Sequence, residues 1–244
     1  MSLQYEFTRT QTTAVTDTTA EVQMRLEDAL SHLPVSATSE YAKGQTIFGP
    51  ERLSTNIYLV VMGKVGIWHI AGNGSEVLMD IVLPDELFGE SAFLGASCPS
   101  ERATAIEKVS AMAWPISAIE NLVMQRPRLG VALLQILARR NLECNRRIES
   151  FSCDTIERRL ARSLLRFSER LGAPTAEGSV RMMPLTHAML SRYVGTSREI
   201  ITQYMNRFRK QGYMIYSRTS IDVYPDALKA VLDKGCFMSA ETGA

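Results

Sequence analysis

The segment that most constrains the fold is residues 186–212, whose sequence is THAMLSRYVGTSREIITQYMNRFRKQG. Residues 186–194 predict a short helix because apolar residues recur there at helical spacing: Met189, Leu190 and Val194. Gly195 can adopt the backbone conformation of a sharp turn, and Thr196 with Glu199 forms the Thr-x-x-Glu pattern that starts a helix. Gly212 stands where a helix usually ends. The segment therefore predicts two short helices joined by a tight turn.

The second of these helices is predicted to have two chemically different faces. The inward face is apolar and consists of Ile200, Ile201, Tyr204, Met205 and Phe208. The outward stripe is polar and consists of Arg198, Glu199, Thr202, Gln203 and Asn206. Donors and acceptors near a helix N-terminus are what reading base edges in a major groove requires. A solvated polar surface gives the same pattern, so the stripe alone leaves both interpretations open.

The overall charge of +1 hides an asymmetry along the chain. Residues 154–234 contain 14 basic residues (Lys and Arg) and 8 acidic residues (Asp and Glu). Residues 1–153 contain 13 basic and 17 acidic residues. The positive excess lies in the segment with the two-helix pattern, which favours a polyanionic partner for this part of the chain. A solvated basic surface is the alternative, but it would not require the polar stripe as well.

Several classes of protein do not fit this sequence. The four cysteines show no C-x-x-C spacing and the three histidines show no metal-ligand spacing, so we expect no metal site. No nucleophile–base set or P-loop is recognisable, so we do not expect an enzyme. No apolar run approaches the ~18 residues of a membrane span. Residues 1–20 lack the apolar core of a signal peptide. We therefore expect a cytoplasmic protein with a disordered tail at residues 1–20 and a second tail at residues 235–244.

The N-terminal half predicts a small β-roll over residues 21–126. A short amphipathic helix is expected at residues 21–33, before the strands begin. Short β-rich runs follow at residues 57–61, 65–70 and 77–82. Gly72-Asn73-Gly74 separates two of these runs and is a hairpin signal. Many short strands at regular spacing are typical of a barrel or roll.

A long helix is predicted at residues 127–153, beginning with Pro127 at its first turn. Six of its residues are spaced 3, 4, 3, 4, 3, which is a heptad seam: Leu134, Leu137, Asn141, Cys144, Ile148 and Phe151. An Asn in a seam is costly unless a partner Asn meets it, so Asn141 favours a parallel pairing of two chains. The alternative is a helix that packs only on its own domain.

Residues 154–234 predict a winged helix-turn-helix. An amphipathic helix is expected at residues 154–171, and a short strand at 180–182 precedes the two-helix segment. After Gly212, strands at residues 213–216 and 221–224 bracket a turn at 217–220, which is typical of a wing. This turn contains no glycine, so its type is left open.

A β-roll, a long pairing helix and a C-terminal winged helix-turn-helix resemble the cyclic AMP receptor protein/FNR (Crp/Fnr) superfamily of bacterial transcription regulators. The resemblance covers roughly residues 21–232. Its most specific motifs are Phe88-Gly89-Glu90 followed by Arg102, and the stretch from Gly195 to Glu199. It implies an α+β fold with a cyclic-nucleotide-binding-like jelly roll, a dimerisation helix and a winged helix-turn-helix.

The resemblance also implies a phosphate-binding cassette that holds a cyclic nucleotide inside the roll. Gly89 would let a backbone N–H approach the phosphate, Arg102 would bind its anionic oxygens and Glu90 would accept from the ribose hydroxyl. Base contacts would come from the long helix at Arg140, Cys144 and Asn145. Ala103 departs from the family pattern because it replaces the Ser or Thr that follows the Arg. The sequence leaves open whether a cyclic nucleotide, another effector or none is bound.

The same resemblance assigns DNA reading to the second helix of the two-helix segment. Arg198 and Glu199 match the family's base-reading pair, whereas Gln203 occupies the position of a second Arg. Arg pairs best with guanine, Glu with cytosine and Gln with adenine, so we expect the family half-site TGTGA to change at the position facing Gln203. Other expected DNA contacts are Thr202 and Asn206 on the stripe, and Thr186, Ser197 and Arg218 at phosphates.

These expectations describe a homodimeric regulator that reads a palindromic DNA operator, with RNA polymerase as a candidate further partner. The alternative is a ligand-sensing module that acts through a partner protein without DNA binding, which the basic segment and the stripe disfavour. An iron–sulfur cluster like that of the family's oxygen sensors is not expected, because the first cysteine is Cys98.

Overall fold

A computed structural model describes residues 27–97 and 100–233. It confirms the predicted architecture, with an N-terminal β-roll, a long helix and a C-terminal helical domain that carries a small sheet. Both expected tails and residues 21–26 of the helix expected at residues 21–33 lie outside the described residues. The part of that helix that is described was predicted wrongly, because Leu30–His32 forms a 3-10 turn.

The roll has eight strands: β1 Thr38–Tyr41, β2 Thr46–Phe48, β3 Asn56–Met62, β4 Val65–Ile70, β5 Glu76–Val82, β6 Leu87–Phe88, β7 Glu101–Ala105 and β8 Val109–Pro115. They form two four-stranded antiparallel sheets, with strand orders β1-β8-β3-β6 and β2-β7-β4-β5. A stack of three aromatic rings fills the space between the sheets. Its ring centroids are 5.7 Å apart for Phe48 and Tyr58 and 5.0 Å apart for Tyr58 and Phe88. The predicted hairpin joins β4 and β5, and Asn73 Oδ1 accepts from Ser75 N in its turn.

Two helices follow the roll, α1 at Ile116–Gln125 and α2 at Pro127–Cys153. The bounds of α2 are those predicted, with Pro127 in the first turn. Only Leu129 and Ala132 of α2 are buried, and both pack in a cluster at the base of the roll. Leu133 and Ile136 are partly buried against the same cluster, so the N-terminal part of α2 is packed on the roll.

The C-terminal domain packs four helices around a four-stranded sheet. The helices are α3 Ile156–Leu171, α4 His187–Val194, α5 Arg198–Lys210 and α6 Pro225–Asp233. The strands are β9 Ala173–Pro174, β10 Val180–Met182, β11 Met214–Tyr216 and β12 Ile221–Val223, in the order β11-β12-β10-β9. Helix α3 begins two residues later than predicted because Thr155 is its N-cap and accepts from Arg158 N.

The C-terminal domain also packs against the outer face of β4 and β5. Trp68, Leu78 and Ile81 of the roll belong to the same hydrophobic cluster as the core of α3, α4 and α5. One hydrophobic cluster therefore spans both domains, separate from the cluster inside the roll, and the strand that carries Trp68 faces the helix-turn-helix. In the described part of the chain, no helix is long and apolar enough to cross a membrane.

Candidate nucleic-acid interface and effector site

The helix-turn-helix is built as predicted, with one correction at its second N-cap. Gly195 adopts the left-handed conformation, with φ of 73°, and ends α4. The N-cap of α5 is Ser197, whose Oγ accepts from Ile200 N at 3.3 Å, so the prediction of Thr196 as the cap was wrong. Backbone hydrogen bonding and the Ser197 hydroxyl lower the pKa of Glu199. Glu199 is therefore held as an acceptor at the helix N-terminus.

The predicted faces of α5 are also observed. Ile201, Met205 and Phe208 are buried in the domain core. The stripe residues Arg198, Glu199, Gln203 and Asn206 are exposed. Among the described residues, no hydrogen-bond or ion-pair partner is found for the side chains of Arg198, Gln203 and Asn206. These side chains are free to meet an external surface.

Thr202 is the stripe residue that the fold itself uses. Its hydroxyl donates to Arg198 O at 2.8 Å and lies 2.8 Å from His187 Nδ1. Because the hydroxyl proton goes to the carbonyl, His187 donates through Nδ1–H. Burial and the charge of Arg198 lower the pKa of His187. Thr202 is therefore less available for a base contact than its neighbours on the stripe.

The residues expected at phosphates lie at helix starts and in the wing. Thr186 is exposed and caps α4, and its Oγ1 accepts from Met189 N at 3.1 Å. Ser197 has the same role in α5. The wing turn is held without glycine because Ser217 Oγ accepts from the backbone N–H groups of residues 219 and 220. Arg218 lies exposed on that turn.

In the roll, the structure brings together three of the residues expected in the cassette. Gly89 has φ of 88°, and an added Cβ would lie 2.8 Å from Asn56 O, so only glycine fits there. Glu90 begins a 3-10 turn that covers Glu90–Ser97. Arg140 of α2 reaches across to this turn and donates to the Glu90 carboxylate and to the Leu87 carbonyl. Its donors are thus engaged by the protein itself.

Arg102 does not join this group, because it points out of the roll. It pairs across β4 with Trp68, on the face that packs against the C-terminal domain. Its guanidinium donates to Glu76, which also lies 2.6 Å from Arg192 of α4. Ala103, the next residue, is fully buried inside the roll. Since side chains alternate along a strand, Arg102 and Ala103 cannot both face the interior.

The residue that β7 turns inward near the cassette is Glu101, which sequence reasoning missed. It lines a cavity of about 10 Å³ together with Phe48 and Ser91. Burial raises the pKa of Glu101, and a hydrogen bond with Ser91 opposes this shift. A carboxyl group thus lies where the resemblance implies a cation for phosphate. A carboxylate repels a phosphate, so the residues described on this strand do not fit a cyclic nucleotide bound through Arg102.

The alternation of side chains along residues 101–105, E-R-A-T-A, is the sequence pattern that could have identified Glu101 as an inward-facing residue. Two buried alanines, Ala103 and Ala105, mark the inner face, and counting back by two gives Glu101. The resemblance to the family motif predicted Arg102 on the inner face of β7, but that face carries its neighbour Glu101. A shift of one residue moves a side chain to the opposite face of the sheet.

The seam expected on α2 is exposed along its whole length in the single chain: Leu134, Leu137, Asn141, Cys144, Ile148 and Phe151. The exposed fraction is 67% for Leu134 and 62% for Ile148. Asn145 lies beside the seam, and its Nδ2 donates to Asn141 Oδ1 at 3.0 Å. Among the described residues, no hydrogen bond joins Cys144 or Asn145 to the cassette of its own chain. An exposed apolar stripe of this kind marks an interaction surface.

Part of the charge asymmetry in the sequence is explained by the contact between the domains. Arg170 of α3 binds Asp80 at 2.5 Å and Glu86 at 2.8 Å. Burial alone would lower the pKa of Arg170, but these two carboxylates raise it above its ordinary value. Arg192 is likewise engaged by Glu76. Some of the basic residues that favoured a polyanionic partner therefore bind acids of the roll.

Comparison with known proteins agrees with this geometry. Residues 38–126 match the cyclic nucleotide-binding domain family, and residues 158–231 match the Crp-like helix-turn-helix domain family. A CRP-like cAMP-activated global transcriptional regulator of Mycobacterium tuberculosis is 28% identical over 177 residues, which cover 72% of this chain and 78% of the relative. The cyclic AMP receptor protein of Thermus thermophilus is 27% identical over 188 residues, which cover 77% and 84%. These relatives are transcription regulators and not enzymes.

Solved structures show the same fold. A CRP/FNR-family transcriptional regulator of Thermus thermophilus superposes with a TM-score of 0.63 at 26% identity and covers 81% of this chain and 98% of its own. FixK2 of Bradyrhizobium japonicum gives a TM-score of 0.69 at 21% identity, with coverage of 81% and 97%. The chain belongs to the Crp/Fnr family of DNA-binding transcription regulators, with an N-terminal domain of the cyclic-nucleotide-binding type and a C-terminal Crp-like helix-turn-helix domain.

Proposed function

We propose that this protein acts as a homodimer that binds a palindromic DNA operator through two copies of α5. The observation that carries the proposal is the seam on α2, whose apolar members are exposed at heptad spacing and need a partner surface. Asn141 lies at a seam position where the Asn of a second copy would meet it. Two-fold pairing would place the two α5 helices about one duplex turn, ~34 Å, apart.

Base reading is proposed for the exposed end of α5. Arg198 would bind guanine through O6 and N7, and Glu199 would accept from cytosine N4. Gln203 follows one turn later and would pair best with adenine, so the half-site would differ from TGTGA there. Thr186, Ser197 and Arg218 would contact phosphates, and Asn206 would extend the reading surface. The exposure of these side chains and the low pKa of Glu199 support these roles.

For the roll, we propose that control does not pass through a cyclic nucleotide bound by Arg102. Two observations support this proposal. Arg102 points out of the roll and donates to Glu76, and Glu101 lies on the inward side of the same strand. The roll would then act through its packed contact with the C-terminal domain. The cytoplasm, where DNA and RNA polymerase are accessible, is the proposed location.

A gel-shift assay with DNA from upstream of the protein's own gene tests the proposal. We expect a single retarded species whose affinity falls steeply with salt, because each phosphate neutralised contributes a slope of about −0.9 in log K against log salt. Absence of a complex, or an affinity independent of salt, would instead favour a module that acts through a partner protein.

A further inference from the structure

Phe151 differs from the other seam residues because it touches the helix-turn-helix of its own chain. An added Cβ on Gly195 would come within 3.0 Å of Phe151 Cε1, so the ring lies directly against the turn between α4 and α5. Gly195 therefore satisfies two requirements, a positive φ and a close approach to an aromatic ring. The last turns of α2 are packed on the helix-turn-helix at this point.

Two arginines surround the same contact. The guanidinium carbons of Arg147 and Arg159 lie 5.4 Å and 5.2 Å from the Phe151 ring centroid. Arg147 Nη2 donates to Tyr193 O at 2.8 Å, and Arg159 Nη1 donates to Val194 O at 3.2 Å. These carbonyls end α4, where the helix dipole favours cations. No carboxylate in the described part of the chain forms an ion pair with either arginine. Arg147 Nη1 also donates to Met79 O of β5 at 3.2 Å, so Arg147 joins α2 to both the end of α4 and the roll.

The same residues lie where the chain changes direction. Only residues 154 and 155 separate the end of α2 from the start of α3. Arg147 belongs to α2 and Arg159 to α3, and both bind the end of α4. This cluster therefore ties the helix-turn-helix directly to the end of α2, in addition to the apolar contact with the roll and the ion pairs of Arg170 and Arg192.

We infer that Phe151, held by Arg147 and Arg159, is a positioning residue that determines which spacing of operator half-sites the protein accepts. In a symmetric dimer the distance between the two α5 helices depends on the angle between α2 and the helix-turn-helix in both subunits, and the half-site spacing must match it. A packed connection tolerates one spacing, whereas a loose connection tolerates several. The inference rests on the proposed DNA-binding dimer and adds the element that fixes its geometry.

Two substitutions at one position separate this role from a role in the seam. Phe151→Leu keeps an apolar side chain for the seam but removes the ring, and Phe151→Tyr keeps the ring. Affinity is measured for operators whose half-sites are moved closer or further apart by one and two base pairs, and light scattering gives the oligomeric state. We expect Phe151→Leu to remain dimeric, to bind the preferred operator about tenfold more weakly and to lose most of its preference for that spacing. Phe151→Tyr should behave as wild type.

Leu142→Ala is the matched control, because Leu142 is 59% exposed on α2 and lies outside the seam. It should retain the wild-type spacing preference. If Phe151→Leu lowers stability strongly, Arg159→Gln disturbs the cluster from α3 and should also broaden the spacing preference. Dissociation of Phe151→Leu into monomers, or an unchanged spacing preference in a dimeric Phe151→Leu, would overturn the inference. Failure of the wild-type protein to bind any palindromic operator would contradict the proposed function first, and the inference with it.

Discussion

The exposed stripe of α5 and the cassette of the roll hold their polar side chains in opposite ways. On α5, Arg198 and Gln203 have no partner among the described residues and face outward from a rigid, capped helix. In the cassette, Arg140 is bound to Glu90. Arg102, which was expected in the cassette, is bound instead to Glu76 on the outer face of the roll. Free donors on a rigid element suit binding to an external surface, whereas engaged donors stabilise the protein. The difference supports the proposal that α5 reads DNA and that the roll does not bind a cyclic nucleotide through Arg102.

The largest expected effect comes from separating the two copies of α5. Replacing Leu134 and Ile148 by Asp puts charges into the seam, so the protein should become monomeric and lose at least about a hundredfold in operator affinity. Light scattering and gel-shift titration measure the two effects. Met124→Asp is the control, since Met124 is 82% exposed but lies in α1, outside the seam. A dimeric double variant that binds DNA normally would show that α2 does not form the dimer.

The stripe itself is tested by Arg198→Ala. Loss of one bidentate base contact costs about 1–3 kcal/mol, or roughly 5- to 150-fold in affinity, and should relax the preference for guanine at one position of the half-site. Arg209→Ala is the control because Arg209 is exposed near the C-terminal end of the same helix. Its loss should weaken binding to all sequences alike. Equal effects of the two substitutions on specificity would count against reading by Arg198.

The cassette side of the comparison is tested by calorimetric titration with cyclic AMP, cyclic GMP and cyclic di-GMP. We expect no saturable heat with cyclic AMP or cyclic GMP, for wild type and for Arg102→Ala alike. Arg102→Ala should still lower the free energy of unfolding by about 1–2 kcal/mol, because Glu76 loses a partly buried partner. Tight binding of a cyclic nucleotide by wild type that Arg102→Ala abolishes would show that Arg102 turns inward in the bound state.

The smallest expected effect is a pH dependence of the helix-turn-helix. The pKa of His187 is lowered in the folded protein, so the unfolded chain binds more protons and stability falls as pH decreases through and below about 6.5. Protonation would also place a second N–H at the buried Nε2, which has no acceptor among the described residues. Thermal unfolding between pH 7 and pH 5 should show less loss for His187→Gln than for wild type. His32→Gln, in the other domain, serves as the control, and an unchanged profile for His187→Gln would refute this role.

These contrasts also explain which parts of the structure followed from the sequence. The start of α2 was predicted correctly because a proline marks its first turn. The two faces of α5 were predicted correctly because its apolar residues recur at helical spacing. The N-cap of α5 was missed by one residue because Thr196 and Ser197 are both good caps. The resemblance to the family motif predicted the wrong direction for Arg102. A motif match does not show to which face of the sheet each side chain of the strand points. The contact of Phe151 with Gly195 joins residues far apart in the chain and leaves no local pattern.

Selection of binding sites from random double-stranded DNA tests the central claim most directly. We expect enriched palindromes with two half-sites one duplex turn apart, G·C pairs at the positions facing Arg198 and Glu199, and a changed base at the position facing Gln203. Recovery of single half-sites without a two-fold partner, or of no enriched sequence at all, would contradict a dimer that reads DNA through α5.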